Sequence, residues 1–407
     1  MQNNYLVKGF KFSGITAGIK ASQKKDMTLI FSEVPAVVAG TFTTGKVVAA
    51  PVTVSQKNIR SGLCQAVIVN SGNANACTGK QGLKDAEAMV AETARLLKIS
   101  KQHVLVSSTG KIGVPLPMAK ISRGITLAVE ALSENQFQEA SEGILTTDLW
   151  AKTAGVEGKV GKTSYQIAGF AKGAGMIEPH MKLQRSGGGL HATMLAYIMT
   201  YAAIERKTLE KIFENAVNQT FNRISVDGDM STNDTALILA NGVAQNKVIK
   251  SGTKEAKAFE KNLITVLDQL ARLMVKDGEG ATKCVRIEVK GAKNDNEAEK
   301  MAYTIANSYL VRTSFFGQDP NWGRIMGAIG RAGTALKAEK VSIFYDKVCV
   351  AKNGMSTGDQ ADAAAKQVMQ APAFTVTVDC RLGKGQCAVY SSDLTLDYVK
   401  LNSCYRT

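Results

Sequence analysis

Apolar and polar positions divide this chain into short strands and amphipathic helices, alternating without a repeat. In the first hundred residues Thr28–Ser32, Val47–Val54 and Ala66–Asn70 are apolar or β-branched enough to predict strands, with glycine turns between them. Pro51 inside the second marks an edge position or a break. Asp85–Leu97 puts Ala86, Met89, Val90, Ala94 and Leu97 on one side of a helix. Val104–Ser107 reads as a buried strand running into a turn at Ser108-Thr109-Gly110. Ile125–Leu132 predicts a helix, and Gly143–Thr147 a strand or turn. The apolar run from Thr193 predicts a helix over Thr193–Ala203, followed by helices over Leu209–Gln219 and Ala256–Lys276. The last of these ends in the acidic turn Asp277-Gly278-Glu279-Gly280. Val285–Val289 alternates as a half-buried strand, Glu297–Leu310 is helical, and Val341–Phe344, Phe374–Val378 and Ala388–Tyr390 repeat the strand pattern. Mixed strands and helices give an α+β class, with a main domain over 1–285 and a second α/β module over 286–407.

Composition narrows the function classes. A chain of 407 residues, 45% hydrophobic, has material for two or three domains with sizeable cores. It contains no apolar run of about 18 residues, so no membrane span is expected. Met1–Tyr5 lacks the basic and apolar segments of a signal peptide. Seven cysteines without metal-ligand spacing fit free thiols in a reducing cytoplasm. Three histidines leave little material for a zinc site or a histidine-based triad, and no metal is expected. The net charge of +15 invites a nucleic-acid partner. The lysines are scattered, however, aromatics are 6% of the chain, and no nucleic-acid motif accompanies them. Small carboxylate substrates are compatible with the same charge.

The sharpest chemical feature is the junction Ala192-Thr193-Met194-Leu195, approached through the glycine-rich segments KGAGMIEPHM and RSGGGL. One reading makes Thr193 the cap of a buried helix. The other has the chain cut itself before Thr193. The new α-amine, with a reference pKa of about 7.7–8.0, is then partly unprotonated near neutral pH. It can take the proton from its own residue's hydroxyl, making a nucleophile without histidine. Further polar and glycine-rich blocks occur at Ser71–Ala76, Thr146-Thr147-Asp148, Lys172–Met176, Asp227–Asp234, Asp277–Thr282, Asp319–Arg324 and Tyr405–Thr407. Each alone reads as turn chemistry. Asp227–Asp234 lacks the spacing and terminal glutamate of an EF-hand.

Together and in this order, these blocks resemble the bifunctional glutamate N-acetyltransferase (ornithine acetyltransferase) family, ArgJ. The motifs SGNANACTG (Ser71–Gly79), DGEGATK (Asp277–Lys283), FFGQDPNWGRI (Phe315–Ile325) and the ending YRT (Tyr405–Thr407) carry the resemblance, which spans essentially the whole chain. It implies an αββα-layered fold akin in mechanism to N-terminal-nucleophile hydrolases, with no metal or cofactor. It also implies cleavage between Ala192 and Thr193 into α and β chains that associate, as a heterotetramer. By motif, Thr193 matches the nucleophile, and Thr109 and Gly110 the oxyanion-stabilising pair. Thr146, Lys172, Thr193, Glu279, Asn402 and Thr407 match substrate contacts. The implied reaction moves an acetyl group from N2-acetylornithine to glutamate by ping-pong exchange, with acetyl-CoA open as a further donor. The tail is implied to fold back over the pocket, and Leu394, Leu396, Tyr398, Val399 and Leu401 offer apolar surface for docking.

The chain departs from that family's pattern in four places. Lys182–His191 (KLQRSGGGLH) is inserted between Met181 and the intact Ala-Thr-Met-Leu junction, and reads as a tolerated surface loop. Lys111, Leu149 and Tyr201 stand where a small apolar residue, a threonine and an aspartate are usual. Two other readings stay open: an N-terminal-nucleophile aminopeptidase on a related scaffold, and an unprocessed, inactive amino-acid-binding homologue.

Overall fold

The computed structural model describes residues 5–183 and 194–404. Ala192, Thr193 and Thr407 lie outside the described residues. The chain divides into two compact units. Among the described residues the first comprises 5–183, 194–222 and 230–274, and the second comprises 223–229 and 275–404.

The first unit is built on one nine-stranded sheet. In chain order its strands are β1 (Phe10–Ile15), β2 (Met27–Phe42), β3 (Leu63–Asn73), β4 (Val104–Lys111), β5 (Lys152–Val160), β6 (Thr163–Lys172), β7 (Lys182–Leu183) and β8 (Leu195–Thr200). Strand β9 (Ile224–Ser225) belongs to the second unit, and β10 (Thr235–Ala240) returns to the first. The spatial order is β4-β3-β2-β10-β8-β6-β5, with β1 and β7 paired to β2. Three helices, α1 (Ala50–Asn58), α2 (Gly79–Leu97) and α3 (Met118–Glu130), close a core with the buried Met27, Leu29, Ala66, Ile68, Val104 and Val106 of the sheet. Helix α4 (Phe137–Gly143) packs on β1 and β2, and Gly14 allows the approach: a Cβ there would lie 1.8 Å from the Glu139 carbonyl oxygen. Helices α5 (Arg206–Gln219) and α6 (Lys254–Lys276) follow the expected amphipathic spacing.

Four expectations are corrected. The run after Thr193 is not a helix: Leu195–Thr200 is strand β8, parallel to β10 and antiparallel to β6. All six of its residues are buried, so no polar face reveals a period, and periodicity alone cannot separate such a strand from a buried helix. Val47–Val54 is not a strand, because Pro51 sits in the first turn of α1, where its missing N–H costs nothing. Ser108-Thr109-Gly110 is not a turn but the last part of β4, paired in parallel with Ser71 and Gly72 of β3. Glu297–Leu310 is two helices, α7 (Asp295–Ala306) and α8 (Tyr309–Phe316). The Ser308 side chain accepts from the Val311 N–H and restarts the helix there.

The second unit holds a seven-stranded sheet ordered β14-β13-β12-β15-β11-β16-β9. The added strands are β11 (Cys284–Ala292), β12 (Ser342–Tyr345), β13 (Val348–Lys352), β14 (Met355–Ser356), β15 (Ala373–Asp379) and β16 (Gly385–Ser392). Helices α7, α9 (Trp322–Gly330) and α10 (Asp359–Gln370) contribute Met301, Ile305, Ile325, Ile329, Ala365 and Met369 to a core with Val285, Ile287, Val376 and Val378. The chain then enters α11 (Leu396–Cys404). The class is therefore α+β, with helices layered on sheets. Among the described residues no helix is long and apolar enough to cross a membrane.

Candidate active site

In the first unit, β4 and β6 bring four expected residues within reach of one another. Lys172 ends β6, and its ammonium donates to the Thr146 hydroxyl at 3.0 Å and the Thr109 hydroxyl at 3.2 Å. Lys172 is 2% exposed and Thr109 is 1% exposed, so these contacts form away from bulk water. A buried ammonium needs counter-charge as well as hydroxyls. It comes from Asp148, whose Oδ2 lies 4.0 Å from the Lys172 Nζ. Gly110 follows Thr109 at φ +130°, and a Cβ there would sit 2.4 Å from the backbone carbon of Gly72. Only glycine fits, and the β3 and β4 backbones close on each other at this point.

Asp148 organises the group, and the motif reading passed over it. Its Oδ1 accepts from Lys152 Nζ at 2.6 Å and from the Gly173 N–H at 2.7 Å, while its Oδ2 accepts from the Thr146 N–H at 3.1 Å. The side chains of Asp148 and Lys152 are both fully buried. Burial works to raise the Asp148 carboxyl, but Lys152 and Lys172 outweigh it and hold it far below the usual carboxylate range. The carboxylate thus stays charged and fixes both Thr146 and the residue after Lys172. Its sequence signal was the Thr-Thr-Asp block together with Lys152, both visible as polar residues flanking apolar segments.

Asp234 was also missed. It ends the block read as turn chemistry, and its buried carboxyl accepts from the backbone N–H of Met194, the residue that follows Thr193. Thr235 returns the contact, its N–H donating to the Met194 carbonyl at 3.0 Å. Leu195 then pairs with Lys172 on one side and Thr235 on the other. The chain just after Thr193 is thereby pinned between Lys172 and Asp234. Burial pushes the Asp234 carboxyl well above the usual range, more than the Met194 N–H and Lys172 lower it. Its Oδ2 has no hydrogen-bond partner among the described residues.

The SGNANACTG block builds the wall behind Gly110 rather than a contact surface. Asn73 donates to the carbonyls of Val114 and Pro115, Asn75 to that of Gly82, and Ser71 to that of Gly143. Asn233, next to Asp234, donates to the carbonyls of Ala74 and Ser108.

In the second unit, Glu279 and Asn402 come together, with the Asn402 Nδ2 donating to Glu279 Oε2 at 2.9 Å. The DGEGATK turn is held by Asp393, which accepts from the N–H groups of Thr282 and Lys283 at 2.8 and 2.9 Å. The Thr395 hydroxyl donates to the Gly280 carbonyl at 2.8 Å. The buried Arg312 donates to the Ser392 and Asp393 carbonyls and fixes the start of α11. These polar bonds attach the tail. Among the apolar residues of the tail, Leu394 and Tyr398 are half-buried and Leu396, Val399 and Leu401 are exposed.

Of the unusual residues, Lys111 and Leu149 are exposed. Tyr201 packs at the end of β8, with the Lys8 ammonium 5.5 Å from its ring centroid. The first two inserted residues, Lys182–Leu183, form β7 on the end of β2 instead of looping out. The rest of the insertion, with Ala192 and Thr193, lies outside the described residues.

The comparisons agree on one family. The model of the ArgJ family matches residues 11–407. The chain belongs to the ArgJ family. It is 48% identical to the arginine biosynthesis bifunctional protein ArgJ of Geobacter sulfurreducens, over 98% of this chain and all of that protein. It is 46% identical to the protein of the same name from Caldanaerobacter subterraneus, over 99% of this chain and 98% of that one. Among solved structures it is similar to the arginine biosynthesis bifunctional protein of Bacillus halodurans, with a TM-score of 0.51 and 38% identity, covering 52% of this chain and all of that one. ArgJ membership places the buried Lys172, Thr109 and Thr146 cluster in an enzyme family rather than in a passive fold.

Proposed function

We infer that the protein is a self-processing acetyltransferase of arginine biosynthesis, moving the acetyl group of N2-acetylornithine to glutamate. The observation that carries this reading is the buried Lys172 ammonium between the Thr109 and Thr146 hydroxyls, beside a Gly110 that no other residue can replace. It is a dry, preorganised electropositive corner of the kind that anionic substrates and developing oxyanions require. The family relationship supports the substrate assignment.

The chemistry runs in two balanced halves. After cleavage between Ala192 and Thr193, the Thr193 α-amine accepts the hydroxyl proton as Oγ1 attacks the acetyl carbonyl. The carbonyl oxygen becomes negative and is met by donors at Thr109 and Gly110, a contribution of about 2.7–4 kcal/mol per donor. The amide C–N bond breaks, ornithine leaves with the proton, and the acetyl group remains as a threonine ester. The glutamate amine then attacks that ester, the C–O bond breaks, and the proton returns to Thr193. Lys172 pairs with a substrate carboxylate, and by the family resemblance Glu279, Asn402 and Thr407 are substrate contacts, Glu279 through an ammonium or the attacking amine. No cofactor or metal enters this exchange, and acetyl-CoA stays open as a further donor for the first half. The two fragments, 1–192 and 193–407, stay associated and assemble as a heterotetramer.

The test is transfer from N2-acetylornithine to glutamate by purified protein, with ornithine and N-acetylglutamate both quantified. Equal yields of the two products support the reading. Release of ornithine with free acetate and no N-acetylglutamate would favour an aminopeptidase-type hydrolase instead.

A further inference from the structure

The loop between β1 and β2 is docked on the strand ends that build the site. The Asp26 carboxylate organises this loop by accepting from the backbone N–H groups of Ala17, Ile19 and Lys20 at 2.6, 2.6 and 3.0 Å. The Asp26 carbonyl accepts from the Ser71 N–H at 2.8 Å, and Ser71 is the β3 partner of Thr109. The Lys20 stem lies over the next residue, where a Cβ on Gly72 would sit 3.0 Å from Lys20 Cγ. Gly72 is in turn the β3 partner of Gly110. Lys20 is thus held against the backbone that closes on Gly110. The loop that carries it is tied to the residue beside Thr109.

The Lys20 ammonium is short of partners. Lys20 is half-buried and donates to the Lys25 carbonyl at 2.6 Å, which leaves two of its N–H groups without a partner among the described residues. The carboxylates around it are engaged elsewhere. Asp26 holds the three backbone N–H groups, and Glu142 pairs with Lys25 at 2.8 Å. Asp148 holds Lys152 and the Thr146 and Gly173 N–H groups. A partly desolvated ammonium without a counter-ion is unfavourable. Burial first, with Lys172 and Lys24 after it, pushes the Lys20 amine down to about 8 against the opposing pull of Asp26 and Asp148. An anion brought in from solvent would complete the set.

We propose that Lys20 binds the side-chain carboxylate of the glutamate acceptor, a specificity-determining contact made in the second half of the exchange. The assignment rests on the acetyl transfer proposed above, in which Lys172 takes a carboxylate of the kind both amino acids carry. Glutamate brings one carboxylate more than N2-acetylornithine, and Lys20 is a second cation at the same strand ends. N2-Acetylornithine carries a side-chain ammonium instead, which a permanently charged Lys20 would repel. An amine with a pKa of about 8 eases that conflict, because near neutral pH it gives up its proton more readily than an ordinary lysine.

The test compares glutamate with glutamine, which is similar in shape but has no side-chain charge, as acceptors for the purified full-length protein with N2-acetylornithine as donor. Lys20→Met keeps a stem over Gly72 and removes the ammonium. It should raise the KM for glutamate by at least about tenfold, as expected for loss of a charged hydrogen bond, while the KM values for glutamine and N2-acetylornithine move by less than about threefold. The preference for glutamate over glutamine should fall accordingly. Lys20→Gln, which keeps a donor for the Lys25 carbonyl, should give the same split and carries the test if the methionine variant does not fold. An unchanged KM for glutamate, equal losses with glutamate and glutamine, or a loss confined to N2-acetylornithine would overturn the proposal. Wild-type protein that transfers no acetyl group to glutamate would overturn the reading of the site itself, and the proposal with it, before any variant is made.

Discussion

The Lys172 ammonium lies 3.2 Å from the Thr109 hydroxyl, across 63 residues of sequence, and both groups are buried. Neither residue is unusual by itself; the contact is. Thr109 lies near the end of β4 and Lys172 ends β6, strands five places apart in the order β4-β3-β2-β10-β8-β6, so strand order alone does not bring them together. Lys172→Ala removes the ammonium and leaves both hydroxyls facing a void. The expected outcome is a KM for N2-acetylornithine raised on the order of tenfold to a hundredfold, the equivalent of a charged hydrogen bond of about 1.5–3 kcal/mol. Steady-state kinetics check this, and an unchanged KM would remove Lys172 from the substrate site.

Asp148 and Lys152 form a fully buried pair, so deleting one partner strands the other. Asp148→Ala should cost about 3–5 kcal/mol of stability, read as a fall in melting temperature. The pH dependence has a definite sign. The folded carboxyl is held below its unfolded value, so the contribution is fully present above the unfolded pKa of about 3.9. It is lost only as pH falls from there through the folded pKa. Wild type should therefore lose this stability well below pH ~4, whereas Asp148→Asn should show a flatter stability profile over the same range. Identical acid unfolding curves would contradict the assignment.

Asp234 carries the opposite sign. Its folded carboxyl is raised, so the stability it contributes is full below the unfolded value of about 3.9 and is lost as pH rises through the folded pKa. Asp234→Asn keeps an acceptor for the Met194 N–H and removes the ionisation, so it should process normally and lose that pH dependence. Asp234→Leu removes the acceptor and should block processing. Gel analysis of both variants checks this, and a normally processed Leu variant would show that the anchor is dispensable.

Gly110→Ala forces a Cβ to within 2.4 Å of the Gly72 backbone at φ +130°. The strand ends must separate, and a displacement of about 1 Å can cost on the order of a hundredfold in rate. The expected outcome is a kcat lowered by about that factor, with a lower melting temperature. Wild-type kcat in this variant would show that the oxyanion corner lies elsewhere.

Much of the fold was legible because amphipathic segments announce themselves. Helix α2 buries Ala86, Met89, Val90 and Ala94, four of the residues whose spacing predicted it. Illegibility began where burial was complete. In β8 Leu195–Thr200 has no exposed face, so its apolar run imitated a helix. The hairpin β5–β6 was missed for the opposite reason, since Lys152–Val160 mixes polar, glycine and apolar residues and shows no clean alternation. Thr109, Gly110, Thr146, Lys172, Glu279 and Asn402 were named from the family resemblance, and the structure puts Lys172 in contact with Thr109 and Thr146, and Asn402 in contact with Glu279. Asp148 and Asp234 were not, because an aspartate among glycines and threonines reads as a turn until long-range pairing brings lysines or a strand end to it.

The most direct measurement is rapid quenching of the purified enzyme with N2-acetylornithine in the absence of glutamate, followed by intact and peptide mass spectrometry. The account predicts two fragments, 1–192 and 193–407, with one acetyl group on the Thr193 hydroxyl that disappears when glutamate is added. An active protein that remains a single uncut chain, or that carries its acetyl group at another residue, would contradict it.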